Sequence, residues 1–221
     1  MKTKRWFVDV MDELSTNDPQ IAQAAALLRE NEVVAFPTET VYGLGANAKS
    51  TDAVKKIYEA KGRPSDNPLI VHIADISQLD GLTGPAPDKA KILMKRFWPG
   101  ALTLILPCKP GALSPRVTAG LDTVAIRMPD HPLALALIRA AGLPIAAPSA
   151  NLSGKPSPTK AEHVAHDLDG RIAGMMDGGS TGIGVESTVL SCAGEIPVLL
   201  RPGGITKEQI EAEIGPILVD K

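Results

Sequence analysis

Prolines and glycines divide this chain into short apolar segments, and their spacing limits the folds that it can adopt. The 221 residues include 19 prolines and 20 glycines. Pro107, Pro129, Pro148 and Pro202 each directly follow an apolar run, and a strand ends there because proline has no N–H to donate to a sheet ladder. Loops therefore collect just after strand ends, which is where open α/β sheets bind their ligands.

Helices are predicted where capping residues precede an amphipathic pattern. Asp18 and Pro19 begin the segment QIAQAAALLRENE, and Ser50 and Gly62 bound the segment STDAVKKIYEAKG. Further helices are predicted over DKAKILMKRFW, over HPLALALIRAAG, and after two capping boxes, Thr159 with Glu162 and Thr206 with Gln209.

Apolar runs of strand length alternate irregularly with these helices. About eight strands are predicted, among them VVAFP, PLIVHI, ALTLILP and DTVAIRMP. The segment TETVYGLGAN is predicted to be a polar, glycine-rich loop. Because the order lacks the strict βαβ alternation of a doubly wound fold, we expect an α/β fold of α+β-like character, in which helices flank a twisted, open, mixed sheet.

The charge balance argues against a nucleic-acid binder held by a domain-wide basic face. The net charge is −2, whereas phosphate neutralisation needs clustered Lys and Arg; a local basic pocket stays open. The first residues lack the apolar segment of a signal peptide, and no apolar run approaches the ~20 residues of a membrane span. The sequence therefore predicts a cytoplasmic protein without membrane association.

The segment PTETVYGLG places hydroxyl groups beside two glycines. Gly43 and Gly45 would let the backbone approach a ligand closely, and Thr38, Thr40 and Tyr42 would supply hydroxyls. A turn with locally satisfied hydroxyls explains the pattern equally well. No GxGxxG or GxxxxGK[ST] motif occurs, so the familiar nucleotide-binding loops are absent.

The segment KGRPSDNPLIVHI contains two cations in a stiff context. Lys61 ends a predicted helix, where a cation also complements the helix dipole. Arg63, between Gly62 and Pro64, would be presented from a restrained loop, and Asn67 adds an uncharged donor and acceptor. Lys and Arg held in this way suit a triphosphate or a carboxylate.

His72 lies in the apolar strand that follows. Alternation along the strand puts Ile70 and His72 on one face and Val71 and Ile73 on the other. The histidine is therefore either a satisfied core residue or a group that faces a cleft.

The segment APSANLSGKPSPT contains a third cluster of polar residues, Ser149, Asn151, Ser153, Ser157 and Thr159. The hydroxyl and backbone N–H groups of a loop before a helix can hold an anion, although turn formation is an alternative explanation. No Ser-His-Asp order or GxSxG elbow accompanies Ser149, so it is not predicted to be an acyl nucleophile.

Two isolated arginines, Arg127 and Arg201, stand at strand ends, and Ser187 stands at a strand start. An arginine among apolar residues needs a carboxylate partner or an anionic ligand. The acidic residues are scattered, so no metal site built by the protein is predicted, and Mg²⁺ would arrive on phosphates.

Taken together, FPTETVYGLG, KGRPSDNPLIVHI, TVAIRMP, PSANLSG, VESTV and LLRPG resemble, in this order and spacing, the YrdC/Sua5 family of threonylcarbamoyl-AMP synthases over roughly residues 15–210. The resemblance implies an enzyme that joins L-threonine, bicarbonate and ATP into threonylcarbamoyl-AMP with release of pyrophosphate. This is the first step of the N6-threonylcarbamoyl (t6A37) modification at adenosine 37 of certain tRNAs.

The resemblance also implies an architecture and partners. Residues 1–210 would form a YrdC-like catalytic domain with a concave basic cleft, and residues 211–221 resemble the start of the Sua5 interdomain linker. No tightly bound organic cofactor is implied. A tRNA threonylcarbamoyl transferase complex would accept the product, and weak RNA binding is compatible with the family.

Site residues are carried over from the family pattern. The signature KxR…SxN is matched by Lys61, Arg63, Ser149 and Asn151, of which the two cations would stabilise the departing pyrophosphate. L-threonine would lie near Thr40, His72, Arg127, the Ala147 backbone and Ser187. ATP would lie along Arg63, Asn67, Thr123, Ser149, Ser157 and Arg201.

Two other functions stay open at this point. One is a carbamoyl-transfer domain like that of hydrogenase-maturation proteins, and the other is an RNA-binding module without catalysis. Pyrophosphate release that needs both threonine and bicarbonate would favour the synthase.

Overall fold

The computed structural model describes residues 1–62 and 67–221. The strands are β1 (Lys4–Phe7), β2 (Val34–Pro37), β3 (Tyr42–Asn47), β4 (Ile70–His72), β5 (Leu102–Pro107), β6 (Thr123–Arg127), β7 (Ile145–Ala146), β8 (Gly174–Asp177), β9 (Thr188–Ser191), β10 (Val198–Arg201) and β11 (Leu218–Val219). The helices are α1 (Pro19–Arg29), α2 (Thr51–Lys61), α3 (Asp88–Phe97), α4 (Pro115–Thr118), α5 (Pro132–Ala141), α6 (Ala161–Leu168) and α7 (Lys207–Ile214).

The strands of the described residues form one mixed sheet. Its eleven strands follow the order β1-β8-β2-β3-β7-β4-β6-β5-β9-β10-β11. Parallel pairs such as β4 with β6 are interspersed with antiparallel pairs such as β2 with β3. The predicted open, twisted, mixed sheet with flanking helices is therefore confirmed.

Helices cover both faces of the sheet, and strand alternation separates the two cores. Along β2, Val34 and Phe36 join the cluster formed with α1 and α5, whereas Ala35 joins the larger cluster on the other face. The larger cluster includes apolar residues of α2, α3, α4, α6 and α7. Each strand thus contributes alternate residues to opposite layers, as pleated geometry requires.

Local capping signals fix several helix ends. The Asp18 carboxylate accepts hydrogen bonds from the N–H groups of Gln20 and Ile21, and Gly62 ends α2 in the left-handed conformation with φ 63°. The capping box of Thr206 with Gln209 forms with both reciprocal bonds. These three predictions are confirmed. Each could be made from the sequence because a cap depends on neighbours within a few residues.

The predicted capping box of Thr159 with Glu162 is wrong. The first residue of α6 is Ala161, and Lys160 precedes it without a side-chain cap. The Thr159 carbonyl instead accepts a hydrogen bond from the N–H of Thr181, and Glu162 pairs with Arg5 at 3.5 Å. Tertiary contacts of both residues therefore override the local capping motif.

The interpretation of TETVYGLGAN as a loop is also wrong. Only its start is a turn, since residues 42–47 form β3 between β2 and β7. A Cβ on Gly45 would lie 2.7 Å from the Phe36 ring and 2.9 Å from Ile145. Gly45 therefore permits close packing around the sheet and is outside the lining of the cavity described below, whereas Gly43 is part of that lining.

The C-terminal segment packs against the same structure. Ile210 of α7 and Ile217 lie in the larger core, and β11 pairs with β10 in parallel. The linker interpretation of residues 211–221 stays a prediction. Within the ranges 1–62 and 67–221, the helices are too short or too polar for any of them to span a bilayer.

Candidate active site

Parallel pairing of β4 with β6 brings two predicted site residues side by side. His72 is opposite Arg127 in the register of these strands. Val71 and Ile126 point into the larger core, so alternation turns His72 and Arg127 to the other face, where both line a cavity. The alternation predicted for β4 is therefore observed, whereas a role of His72 in a binding site stays a prediction.

The Arg127 guanidinium is held by three neighbours. Its Nε donates to the Gly100 carbonyl at 3.1 Å, its Nη1 donates to Thr40 Oγ1 at 3.1 Å, and its Nη2 pairs with the Glu39 carboxylate. Glu39 also accepts a hydrogen bond from the Asp130 N–H at 2.6 Å. Burial lowers the pKa of Arg127, and the charge of Glu39 opposes that shift, so Glu39 is the carboxylate partner that an arginine in this position requires.

Hydrogen-bond directions make Thr40 an acceptor towards a ligand. Thr38 Oγ1 donates to the Val41 carbonyl at 2.7 Å, so in the Thr38–Thr40 contact of 2.8 Å the proton belongs to Thr40. Thr40 Oγ1 also accepts from Arg127. With its proton committed to Thr38, the Thr40 oxygen that lines the cavity retains a lone pair.

His72 is neutral and hydrogen-bonds to the backbone. Its Nδ1 lies 3.1 Å from the Ile70 carbonyl, and the ring has a second backbone hydrogen bond to Ile145. Burial, assisted by the charge of Arg127, lowers the pKa of His72 to about 3. The ring therefore adds no positive charge to the cavity.

Arg201 reaches the cavity through a β-bulge. The β9–β10 register shifts between Leu199 and Arg201; without this shift, alternation would put Arg201 on the core face with Leu199. Its Nε and Nη2 donate to the Ser187 carbonyl at 3.1 and 2.8 Å. Gly203 completes the clamp, since a Cβ there would lie 2.5 Å from the carbonyl carbon of Ser187.

Lys61 holds the segment that contains Ser149 and Asn151. Its buried Nζ donates to the carbonyls of Ser149 at 2.5 Å and Asn151 at 2.8 Å, and to Asn151 Oδ1 at 3.2 Å. Ser149 Oγ donates to the same Oδ1 at 2.5 Å. Three of the four signature residues thus contact one another, and in this arrangement Lys61 stabilises the loop that carries Ser149.

Glu186 joins two side chains that the family resemblance assigns to ATP. Its carboxylate pairs with Arg201 Nη1 at 3.0 Å and accepts a hydrogen bond from Ser157 Oγ at 2.8 Å. Both Glu186 and Arg201 line the cavity. A phosphate at this position would compete with the carboxylate for the same donors.

The cavity has a volume of about 170 Å³, below the ~300–1,000 Å³ of sites that enclose drug-sized ligands. Of the predicted site residues, these line it: Thr40, His72, Arg127, Ala147, Ser149, Ser187 and Arg201. Lys61 and Asn151 lie behind Ser149. Asn67, Thr123 and Ser157 are outside this lining. Arg63 lies outside the described residues, so its predicted role stays a prediction.

Three residues of the site were not predicted from the sequence. Glu39 and Glu186 are the carboxylate partners of Arg127 and Arg201, and Thr103 of β5 contacts Ser187. The requirement for a carboxylate near each buried arginine is a signal that points to acids close to the motifs, such as Glu39 within TET. Tyr42 was singled out for its hydroxyl, but that group bonds Gly178 and Gly179 instead.

Comparisons with known proteins point to one family. The Sua5/YciO/YrdC family model, described as "Telomere recombination", matches residues 26–203. The threonylcarbamoyl-AMP synthase of Bacillus subtilis is 92% identical over 221 residues, all of this chain and 64% of that protein. The Pyrococcus abyssi enzyme of the same name is 60% identical over 201 residues, 90% of this chain and 58% of that protein.

A solved structure shows the same fold. The crystal structure of P. abyssi Sua5 complexed with L-threonine superposes with a TM-score of 0.92 at 55% sequence identity, covering 97% of this chain and 62% of that one. The chain therefore spans roughly three fifths of the length of these relatives.

Proposed function

The chain belongs to the Sua5/YciO/YrdC family, and from this premise we propose that it is a threonylcarbamoyl-AMP synthase. The reaction joins L-threonine, bicarbonate and ATP and releases pyrophosphate. The product would pass in the cytoplasm to a tRNA threonylcarbamoyl transferase complex. The names of the B. subtilis and P. abyssi relatives support this function over a carbamoyl-transfer domain or an RNA-binding module.

The observation that carries the proposal is the placement of donors and acceptors around one small cavity. Arg127 supplies charged donors, while Thr40 Oγ1 supplies an acceptor and the neutral His72 adds no competing charge. A zwitterionic amino acid needs donors for its carboxylate and acceptors for its ammonium group. The five residues assigned to threonine by family resemblance all line this cavity.

The proposed chemistry needs no covalent enzyme intermediate. The deprotonated threonine amine forms an N–C bond with CO₂ or bicarbonate; bicarbonate loses water in this step, whereas addition to CO₂ releases one amine proton to solvent. A carbamate oxygen then attacks the α-phosphorus of ATP as the bond to pyrophosphate breaks. The side chains contribute by fixing the amino acid and by stabilising phosphate charge, the latter through Arg201 and, by family resemblance, Arg63.

Mg²⁺ would enter this site on the ATP phosphates. Within residues 1–62 and 67–221, no three Asp, Glu, His or Cys side chains form a metal-binding group, and Glu186 is paired with Arg201. Phosphate oxygens would therefore supply most of the ligands, as is usual for Mg²⁺. The ion would neutralise charge on the leaving pyrophosphate.

The test is the dependence of pyrophosphate release on each substrate. With this chain, ATP conversion to pyrophosphate should require L-threonine and bicarbonate together, and mass spectrometry should detect threonylcarbamoyl-AMP. L-threonine binding by calorimetry provides a second readout that needs no turnover. Pyrophosphate release that is indifferent to threonine, or tight RNA binding without turnover, would contradict the proposal.

A further inference from the structure

We propose that Thr103, which lies outside the cavity lining, is a positioning residue that directs the hydroxyl proton of Ser187 towards the substrate carboxylate. This inference deepens the proposed function and rests on it. The proposed role depends on which of the two hydroxyls donates in the hydrogen bond between Thr103 and Ser187. No contact between Thr103 and a ligand is involved, because the side chain lies one layer behind Ser187.

The position of Thr103 on β5 determines which face of the sheet its side chain occupies. Its neighbours Leu102 and Leu104 point into the larger core, so alternation turns Thr103 to the face that carries the cavity. There it is completely buried, and its Oγ1 lies 2.8 Å from Ser187 Oγ. Ser187 itself lines the cavity and is 3% exposed.

The available donors and acceptors determine the direction of the hydrogen bond between Thr103 and Ser187. Ser187 Oγ is the hydrogen-bond partner of the Thr103 hydroxyl among residues 1–62 and 67–221. If Ser187 donated to Thr103, the buried Thr103 proton would have no acceptor, which is an unfavourable arrangement. Thr103 is therefore the donor and Ser187 Oγ the acceptor.

The Ser187 hydroxyl has hydrogen-bonding capacity beyond its contact with Thr103. Arg201 Nη2 also donates to Ser187 Oγ, at 3.3 Å. Two donors thus occupy the lone pairs of this oxygen, and its own proton is left for an acceptor in the cavity. Because the Arg127 guanidinium lines the same cavity, the Ser187 proton would be a second donor for one carboxylate, as the proposed substrate requires.

A substitution series tests this role. Thr103→Val replaces the hydroxyl with a methyl group, which is too large to stay at 2.8 Å from an oxygen, so Ser187 Oγ must shift. We expect L-threonine to bind roughly tenfold more weakly, with an unchanged KM for ATP. Thr103→Ser keeps the donor and should bind within about twofold of the parent. Thr83→Val, which removes a buried hydroxyl bonded to the Leu79 carbonyl, controls for general destabilisation.

A double-mutant cycle identifies the path of the effect. In a Ser187→Ala background Thr103 has lost its acceptor, so adding Thr103→Val should leave threonine affinity unchanged and should raise the melting temperature. If Thr103→Val binds threonine as the parent does, or if its effect is equal in both backgrounds, the inference is wrong. A parent chain that binds no threonine would instead contradict the proposed function, and that result is visible before any variant is made.

Discussion

The two ends of the cavity differ in burial and in the permanence of their contacts. At the end proposed to bind the amino acid (the amino-acid end), the Arg127 side chain is 4% exposed and is fixed by Glu39, Thr40 and Gly100. At the end proposed to bind phosphate (the phosphate end), the Arg201 and Glu186 side chains are each 39% exposed and pair with one another. On this proposal the first end is complete before a ligand arrives, whereas the second would exchange a protein carboxylate for phosphate.

The difference suggests a division of labour. A buried, prearranged end provides selectivity because its protein contacts hold its donors and acceptors in fixed positions before the ligand binds. An exposed ion pair is worth only ~0–1 kcal/mol, so a triphosphate can replace it at little cost. The following changes probe this contrast, beginning with the largest expected effect.

Arg127→Lys, a change at the buried end of the cavity, should strongly lower the catalytic efficiency with threonine. Lysine cannot span the Gly100 carbonyl, Thr40 and Glu39 and also present two donors to a carboxylate. We expect kcat/KM for threonine to fall by about 10²- to 10³-fold, corresponding to the loss of two hydrogen bonds to charged groups, with a smaller change in the KM for ATP. Steady-state kinetics with each substrate varied provides the measurement.

The matched control for this change is Arg139→Lys. Arg139 is an exposed arginine of α5 that donates to the Ala74 carbonyl, so its replacement should keep activity within about twofold. Parent-like threonine kinetics for Arg127→Lys would show that the buried guanidinium does not bind the substrate, and the contrast between the two ends would disappear.

Arg63→Ala should affect the other end. On the family resemblance this arginine stabilises the polyphosphate, so its loss should lower kcat on the order of 10²-fold. Threonine binding measured without ATP should stay within about twofold of the parent. The exposed Arg96, which pairs with Glu213, provides a matched Arg→Ala control. Activity close to that of the parent would remove the proposed role of Arg63.

The neutral His72 predicts a pH dependence of stability. Its pKa in the folded chain is about 3, below the ordinary value of 6.5, so between these values the unfolded chain binds a proton that the folded chain does not. The free energy of unfolding should therefore fall as the pH drops from about 6.5 towards 3, by up to ~1.4 kcal/mol per pH unit. Urea unfolding at a series of pH values measures this slope.

His131 allows the cavity contribution to be separated. Burial lowers its pKa to about 4, and its side chain caps α5 at the N–H of Leu133, a role that asparagine can retain. Both His72→Asn and His131→Asn should reduce the acid slope, but only His72→Asn should weaken threonine binding. An unchanged slope in His72→Asn would mean that this ring takes up a proton in the folded state.

Sequence reasoning succeeded where local rules decide the structure. Capping residues located the starts of α1 and α2, and alternation along β4 placed His72 on the face opposite Val71. In the same way, the position of Arg127 among apolar residues indicated a carboxylate partner or an anionic ligand. The caps and the strand alternation depend on neighbours within a few residues along the chain, whereas the carboxylate that meets the requirement of Arg127, Glu39, lies 88 residues away.

It failed where distant segments decide the structure. Alternation alone would have buried Arg201 with Leu199, and only the β-bulge against β9 turns it to the cavity. The role of Lys61 at the phosphates stays a prediction, but no local rule indicated its contacts with oxygens about 90 residues away in sequence. The interpretation of β3 as a loop overlooked that glycines also permit close packing in a sheet.

Glu186→Gln is expected to have the smallest effect, and its sign distinguishes two designs of the phosphate end. If the carboxylate only neutralises Arg201 until ATP arrives, the amide should release that arginine and tighten ATP binding by about two- to fivefold, the range of an exposed ion pair. Gln keeps an acceptor for Ser157, and Glu162→Gln, an exposed acid paired with Arg5, serves as the control. If ATP binding weakens instead, Glu186 contributes to the bound state, and the phosphate end is as fully prearranged as the buried one.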